Sequence, residues 1–257
     1  MNKFDVSTMG KGPKLVLIHG WGSNSNIWIP IAQKLSETYK VYLVDIPGYG
    51  LNKNNSSLGL DAISTIFLEH LPKDAVWVGW SLGGLIVKYI ATHYRNTLGG
   101  IITVCSSPCF TKQMEWDGLD KNILQNFECN LIRDYKLTLN KFLTLQFLGT
   151  KNYREDLANL KKLMNKFPDP NVETLQDGLS ILKNHDLRKI IHKVDIPFLR
   201  IYGKNDRIVP ISIANKFNNL HGDSKCEIFE NSSHAPFISE PDAFLNSIYR
   251  FTMLINN

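Results

Sequence analysis

Val76-Trp77-Val78-Gly79-Trp80-Ser81-Leu82-Gly83-Gly84-Leu85 joins a β-branched and aromatic run to a Gly-x-Ser-x-Gly pattern, at the point where a helical pattern begins. A serine at a sharp strand-to-helix turn has its hydroxyl pushed out above the sheet, and glycines on either side leave room for the crowded backbone. Ser81 is therefore the candidate nucleophile, placed at the positive end of a helix. The same pentapeptide also occurs by chance as an ordinary Gly/Ser turn. Its meaning depends on whether a base, an acid and oxyanion donors stand at suitable places elsewhere.

Working outward toward the N-terminus, residues 3–8 read as a short edge strand. They are followed by a Gly10-Lys11-Gly12-Pro13 turn and by Leu15-Val16-Leu17-Ile18, a continuous apolar run of the kind a buried parallel strand needs. That run stops at His19-Gly20-Trp21-Gly22. A helical pattern over about 28–38 leads to a second strand, Val41-Tyr42-Leu43-Val44-Asp45, ended by Pro47-Gly48-Tyr49-Gly50. The Asn/Ser-rich piece 52–57 reads as a surface loop, and Asp61 as the N-cap of a helix running through Leu71.

Beyond the serine a helix is expected over about 82–95 and a strand over 101–105. Strands that alternate with helices, each apolar throughout, imply an α/β fold: a mostly parallel central sheet flanked by helices on both faces. From about Cys109 to Leu187 the text then reads as helices only, roughly 118–132, 137–148, 152–167 and 172–184. Pro168 and Pro170 close the third of these. Residues 109–187 are accordingly expected to form a helical lid over the strand ends, with 1–108 and 188–257 as the core. The core resumes with a strand at 197–203, a helix near 211–219, a strand at 225–230 and a final amphipathic helix over about 240–254.

Each of the last two strands is followed by one suggestive residue, Asp206 and His234. A serine hydroxyl is a poor nucleophile at neutral pH; it needs an imidazole to take its proton and an acid to orient that imidazole. Ser81, Asp206 and His234 all fall in loops after strands, on the edge where open parallel sheets carry their sites. Among the seven histidines, His93, His192 and His221 read as surface residues, and His70 as part of a helix face. His19 reads as a brace for the loop that follows it. Asp45 precedes the serine, and Asp186 and Asp195 flank a helical stretch, so Asp206 is the preferred acid.

Acyl transfer also needs backbone N–H groups for the oxyanion of its tetrahedral intermediate. The expected donors are Leu82, directly after the nucleophile, and Trp21, in the loop after the first long strand. Trp21 and Trp80 either wall the pocket or belong to the core, the commoner fate of tryptophan. No phosphate loop, zinc motif or dinucleotide fingerprint is present, so neither a cofactor nor a metal is expected.

Composition narrows the partners. The chain has 257 residues and a formal charge of +5, which permits an acidic partner without requiring nucleic acid. Across residues 130–167 eight basic residues face three acidic ones, an excess equal to that of the whole chain. On a helix over 151–167, Lys151, Arg154, Lys161, Lys162 and Lys166 share one face, and Tyr153, Leu157, Leu160, Leu163, Met164 and Phe167 the other. The basic face is either a solvated surface or a dock for an acidic partner. Phe142, Leu143, Leu145, Phe147 and Leu148 either line an acyl tunnel or form the lid's own core. Cys105, Cys109, Cys129 and Cys226 lack metal-ligand spacing and read as reduced, mostly packing residues. With no secretory pattern at the N-terminus and no apolar run approaching a membrane span, a cytoplasmic location is expected, and separately the chain is expected to be a monomer.

The stretches LVLIHGWG, LVDIPGYG, GWSLGGL, TVCSSPCF, FLTLQFLGT, PFLRIYGKND and HAPFIS, spread over nearly the whole chain, resemble the α/β-hydrolase family. Within it they are most similar to the serine esterases that act on pimeloyl methyl esters in biotin synthesis. The resemblance implies Ser81, Asp206 and His234 as the catalytic residues, Trp21 and Leu82 at the oxyanion hole, and Phe142, Leu143, Thr144, Leu145 and Gln146 lining the acyl site. It further implies hydrolysis of a methyl ester whose pimeloyl chain is held by acyl carrier protein, with Lys141, Lys151, Arg154, Lys161 and Lys162 as docking candidates. The rival readings are a general short-chain esterase, thioesterase or carbon–carbon hydrolase, and a ligand-binding receptor with a vestigial triad.

Overall fold

In the computed structural model, which describes residues 3–56 and 58–256, the apolar runs become strands buried on both faces. These are β2 (Lys14–Ile18), β4 (Val76–Trp80), β5 (Gly100–Val104) and β6 (Phe198–Gly203). Together with β1 (Val6–Met9), β3 (Lys40–Val44) and β7 (Lys225–Phe229) they form one seven-stranded sheet in the order β1-β3-β2-β4-β5-β6-β7. β1 pairs antiparallel with β3, and the other five pairings are parallel. Because the parallel strands all point one way, the loops after β2, β4, β5, β6 and β7 gather along a single edge.

Helices α1 (Ile29–Leu35), α2 (Leu60–His70) and α3 (Leu82–His93) connect the first strands. α3 is buried along its length from Leu82 to Thr92, as a helix packed against the middle of a sheet must be. Between β5 and β6 come α4 (Lys121–Arg133), α5 (Tyr135–Leu145), α6 (Tyr153–Met164) and α7 (Val172–Asn184). Asp120, Asp134 and Asn171 start α4, α5 and α7 by accepting hydrogen bonds from backbone N–H groups two or three residues on. After β6, the chain closes with α8 (Ser212–Asn218), α9 (Pro236–Ser239) and α10 (Pro241–Asn256).

Several expectations are corrected. Residues 109–119 are not helical: isolated bridges join Thr111 to Leu119 and Gln113 to Trp116, and Cys109 to Asp186. Glu115 adopts a positive φ of 61° at the bend, which a helix does not allow. α6 is shorter than 152–167, so Lys151, Lys166 and Phe167 fall outside it. The N-cap of α2 is Gly59; Asp61 lies in the first turn, where its carboxylate suits the helix dipole and accepts from the Tyr89 hydroxyl. Asn52 is no surface residue. It is buried, and its amide donates to the carbonyls of Asp5 and Asp45, pinning the loop to β1 and β3. Ser57, the last residue of that expected loop, lies outside the described residues. His221 is half-buried, donating to the Val194 carbonyl. All four cysteines are free, but Cys129 and Cys226 are exposed rather than packed.

Candidate active site

Ser81 sits between β4 and α3 with φ 54° and ψ −113°, a conformation that non-glycine residues rarely adopt. The turn closes only because its neighbours lack side chains. A Cβ on Gly79 would lie 2.3 Å from the Gly83 carbonyl oxygen, and one on Gly83 would lie 2.6 Å from that of His19. On the opposite side, a Cβ on Gly20 would come within 3.1 Å of the Ser81 Cβ, so the loop after β2 passes directly beside the serine.

Asp206, in the loop after β6, is held by three donors. Its Oδ1 accepts from the backbone N–H of Ile208 (2.8 Å) and Val209 (3.0 Å), and its Oδ2 accepts from His234 Nδ1 (2.7 Å). A carboxylate can only accept, so the Nδ1 proton is assigned by this bond and Nε2 is the bare, basic nitrogen. Nε2 has no hydrogen-bond partner and is buried. His234 is fixed at its backbone as well: its N–H donates to the Gln146 carbonyl (2.9 Å), and its carbonyl accepts from Trp80 Nε1 (2.7 Å). Trp80 directly precedes Ser81, so one side chain ties the serine turn to the histidine loop. Gly203 permits the close passage of that loop, since a Cβ there would overlap the Ser233 carbonyl oxygen at 1.8 Å.

The loop after β2 is braced by His19. Its Nε2 accepts from the Ile46 N–H (3.1 Å), which leaves Nδ1 to carry the proton and donate to the Gly20 carbonyl (2.7 Å). Burial pushes the His19 pKa down, opposed by the Asp45 carboxylate. Asp45 in turn receives the Ser25 N–H and hydroxyl and the Leu51 N–H. Trp21 is buried; its indole donates to the Leu175 carbonyl (2.8 Å) and its ring meets Phe142 edge-on at 4.6 Å. Leu82 opens α3, where the first N–H groups have no partner within the helix.

Of the remaining expected residues, Phe142, Leu143 and Gln146 are buried, while Thr144 and Leu145 are half-buried. Phe142 reaches Trp21 and Gln146 reaches His234. Thr144 spends its hydroxyl on the Asn140 carbonyl of its own helix. The Gln146 side-chain oxygen is buried without a partner. Lys141, Lys151, Arg154 and Lys162 are exposed, whereas Lys161 is half-buried. The Asn24 amide donates to the Met164 carbonyl, fastening α6 to the loop beside the serine.

Three neighbours of the site were not singled out from sequence for any role in it. Ser106 donates to the Ser81 carbonyl (2.7 Å) and accepts from Lys88 Nζ (2.8 Å). Lys88 is fully buried on α3, and burial first, then the charge of Arg200, lowers its pKa well below the ordinary lysine value. A lone lysine inside Gly84-Leu85-Ile86-Val87-Lys88-Tyr89-Ile90 was the available signal. The unfolded chain holds this proton up to about pH 10.4, so between the folded and unfolded pKa values the unfolded state binds more protons and stability rises with pH. Lys88→Met therefore raises the melting temperature near neutral pH, and the gain shrinks as pH approaches about 10.4. A gain independent of pH in parallel melts would mean that Lys88 is charged in the native protein.

Cys105, directly after β5, is the third neighbour. It is fully buried, with a φ of 46°, and its thiol donates to the Ser233 carbonyl at 3.6 Å. Burial and then the Asp206 carboxylate push its pKa well up. Its sulfur and ligand atoms of Asp206 and His234 all lie within 4.8 Å of one another, and no other three His, Cys, Asp or Glu side chains among the described residues gather their ligand atoms in this way.

A strained serine on a strand-to-helix turn, with a carboxylate–imidazole pair on the same sheet edge, has a counterpart among known proteins. The α/β hydrolase fold family model matches residues 13–241. The chain belongs to the α/β-hydrolase family. Relatives of this hydrolase include the pimeloyl-[acyl-carrier protein] methyl ester esterases of Vibrio cholerae serotype O1, 40% identical across 94% of this chain and 95% of theirs, and of Proteus mirabilis, 41% identical across 97% of both. Among solved structures it superposes on an esterase from Exiguobacterium antarcticum (TM-score 0.85, 21% identity, covering 98% of this chain and 95% of that one). It also superposes on an enol-lactonase from Burkholderia xenovorans (TM-score 0.85, 15% identity, 97% and 96%). These two share its fold.

Proposed function

We propose that this hydrolase cleaves the methyl ester of a pimeloyl chain carried by acyl carrier protein, a step of biotin synthesis. The observation that carries the reading is near-full-length identity of about 40% to esterases of that name. The carboxylate–imidazole pair at 2.7 Å supports the chemistry.

His234 Nε2 takes the Ser81 proton as the hydroxyl oxygen attacks the ester carbonyl. The N–H groups of Trp21 and Leu82 receive the oxyanion, in a site dry enough for them to count. His234 returns the proton to the departing methanol, and water then hydrolyses the acyl-enzyme by the same route. The inserted segment 109–187 serves as a lid, with Phe142 and Leu143 against the acyl chain. Its exposed Lys141, Lys151, Arg154 and Lys162 meet the acidic carrier. Among the described residues no helix is long and apolar enough to cross a membrane.

Mass spectrometry of the protein incubated with carrier-bound pimeloyl methyl ester should show the carrier lose the mass of one methylene unit. An unchanged carrier mass, with small esters still cleaved, would leave the chain a general short-chain esterase. Charge also discriminates. Reversing exposed Lys151 and Lys162 to Glu should lower kcat/KM on the carrier-bound ester about tenfold at low salt and spare a p-nitrophenyl ester. Equal losses on both would place the effect in lid stability rather than docking.

A further inference from the structure

We propose that Cys105, Asp206 and His234 form a binding site for a thiophilic divalent cation such as Cd²⁺ or Zn²⁺, and that its occupation switches hydrolysis off. The site stands on the geometry of these three residues. Its consequence for turnover rests on the reading of His234 as the base.

One thiol, one carboxylate and one imidazole make the mixed S, O, N set that such ions take, and three protein ligands leave a fourth position for water. All three are buried, at 0%, 6% and 0% exposure respectively, so neighbours already hold them. Asp206 is fixed by the Ile208 and Val209 N–H groups, and His234 by its backbone bonds to Gln146 and Trp80. Bond lengths of about 2.3 Å to sulfur and about 2.0–2.2 Å to nitrogen and oxygen put the ligand atoms of a tetrahedral site roughly 3.3–3.7 Å apart. Here they already lie within 4.8 Å of one another. The Asp206–His234 contact, at 2.7 Å, has to open by only about 0.6 Å to admit the ion.

Charge and protons balance. The cation displaces the Cys105 thiol proton to solvent, and thiolate and carboxylate together neutralise its two charges in the buried site. The nitrogen of His234 that faces Asp206 is Nδ1. When Nδ1 binds the metal, its proton is relocated to Nε2. The nitrogen that should accept the Ser81 proton is then occupied, and turnover stops with the serine itself untouched.

The test uses the full chain in a Cys129→Ser/Cys226→Ser background, which removes the two exposed thiols. Cd²⁺ is titrated while the ultraviolet thiolate-to-cadmium absorption band and p-nitrophenyl ester turnover are followed together. The expected result is a band saturating at one ion per chain, with turnover falling in parallel, and no effect from Mg²⁺. In Cys105→Ala the band is lost, and the inhibiting Cd²⁺ concentration, read against that variant's own metal-free rate, rises about 100-fold. Cys105→Ser, which retains size and polarity, gives the same outcome should the alanine variant fold poorly. A band that survives in both variants, or equal inhibition with and without the thiol, overturns the site. Saturating the band without loss of turnover overturns the switch. If the wild-type chain cleaves no ester, the band still reports the site, so a failure of the hydrolase reading is distinguishable from a failure of this one.

Discussion

Ser81→Ala leaves the protein folded and lowers turnover of carboxylic esters by about 10⁶-fold. The two halves of that result have separate causes. Alanine keeps the Cβ that sits beside Gly20, and it inherits the same φ of 54°, so neither packing nor backbone strain changes. The melting temperature therefore stays that of the wild type. Activity falls because the oxygen that forms the acyl-enzyme in the proposed mechanism has gone. What remains, about 10³–10⁴ over the uncatalysed rate, reflects binding and oxyanion stabilisation alone. Ser81→Gly is the informative companion. It is equally inactive, yet it melts higher than Ser81→Ala, because releasing a strained non-glycine conformation is worth of order 1–3 kcal/mol. Stopped-flow traces with a p-nitrophenyl ester, alongside thermal melts, check both. Undiminished turnover in Ser81→Ala would remove the serine from the chemistry, whatever its geometry.

The parts of this molecule that sequence makes readable are those governed by local rules. Leu15-Val16-Leu17-Ile18 and Val76-Trp77-Val78 announce buried parallel strands because no exposed face interrupts the apolar run. Gly79 and Gly83 mark the serine turn because only glycine clears the opposing carbonyls at that distance. What escaped depends on contacts between residues far apart in the chain. Lys88 meets Ser106, eighteen residues on, inside the packing between α3 and β5. Nothing in the helix pattern says whether that lysine faces water or the sheet. Cys105 gains its meaning from Asp206 and His234, over a hundred residues away. The non-helical turn at 110–119 was missed for the opposite reason: its bridges are local, but they lack the β-branched alternation that signals a strand. Lys161 shows the limit of periodicity, since a basic stripe on a helical wheel does not reveal that one of its members leans into the fold.

Asp206→Asn lowers kcat by about 10⁴-fold with little change in KM. The mechanism follows from which oxygen is committed. Oδ1 accepts from two backbone N–H groups, Ile208 and Val209, so the asparagine carbonyl must take that position, and its NH₂ must face His234. Nδ1–H would then meet another donor. The imidazole resolves the conflict by moving its proton to Nε2, which lets Nδ1 accept. Ser81 is left with a donor where it needs a base, the same tautomer that a cation bound at His234 Nδ1 would impose. Substrate binding is spared because both Asp206 oxygens are already committed to the Ile208 and Val209 N–H groups and to His234. In the proposed mechanism Ser81, His234 and Asp206 act as a unit, so the double variant Ser81→Ala/Asp206→Asn should be no slower than Ser81→Ala alone. Multiplicative losses in that cycle, or a loss below about tenfold for Asp206→Asn by itself, would mean that the aspartate contributes something other than the orientation of this histidine.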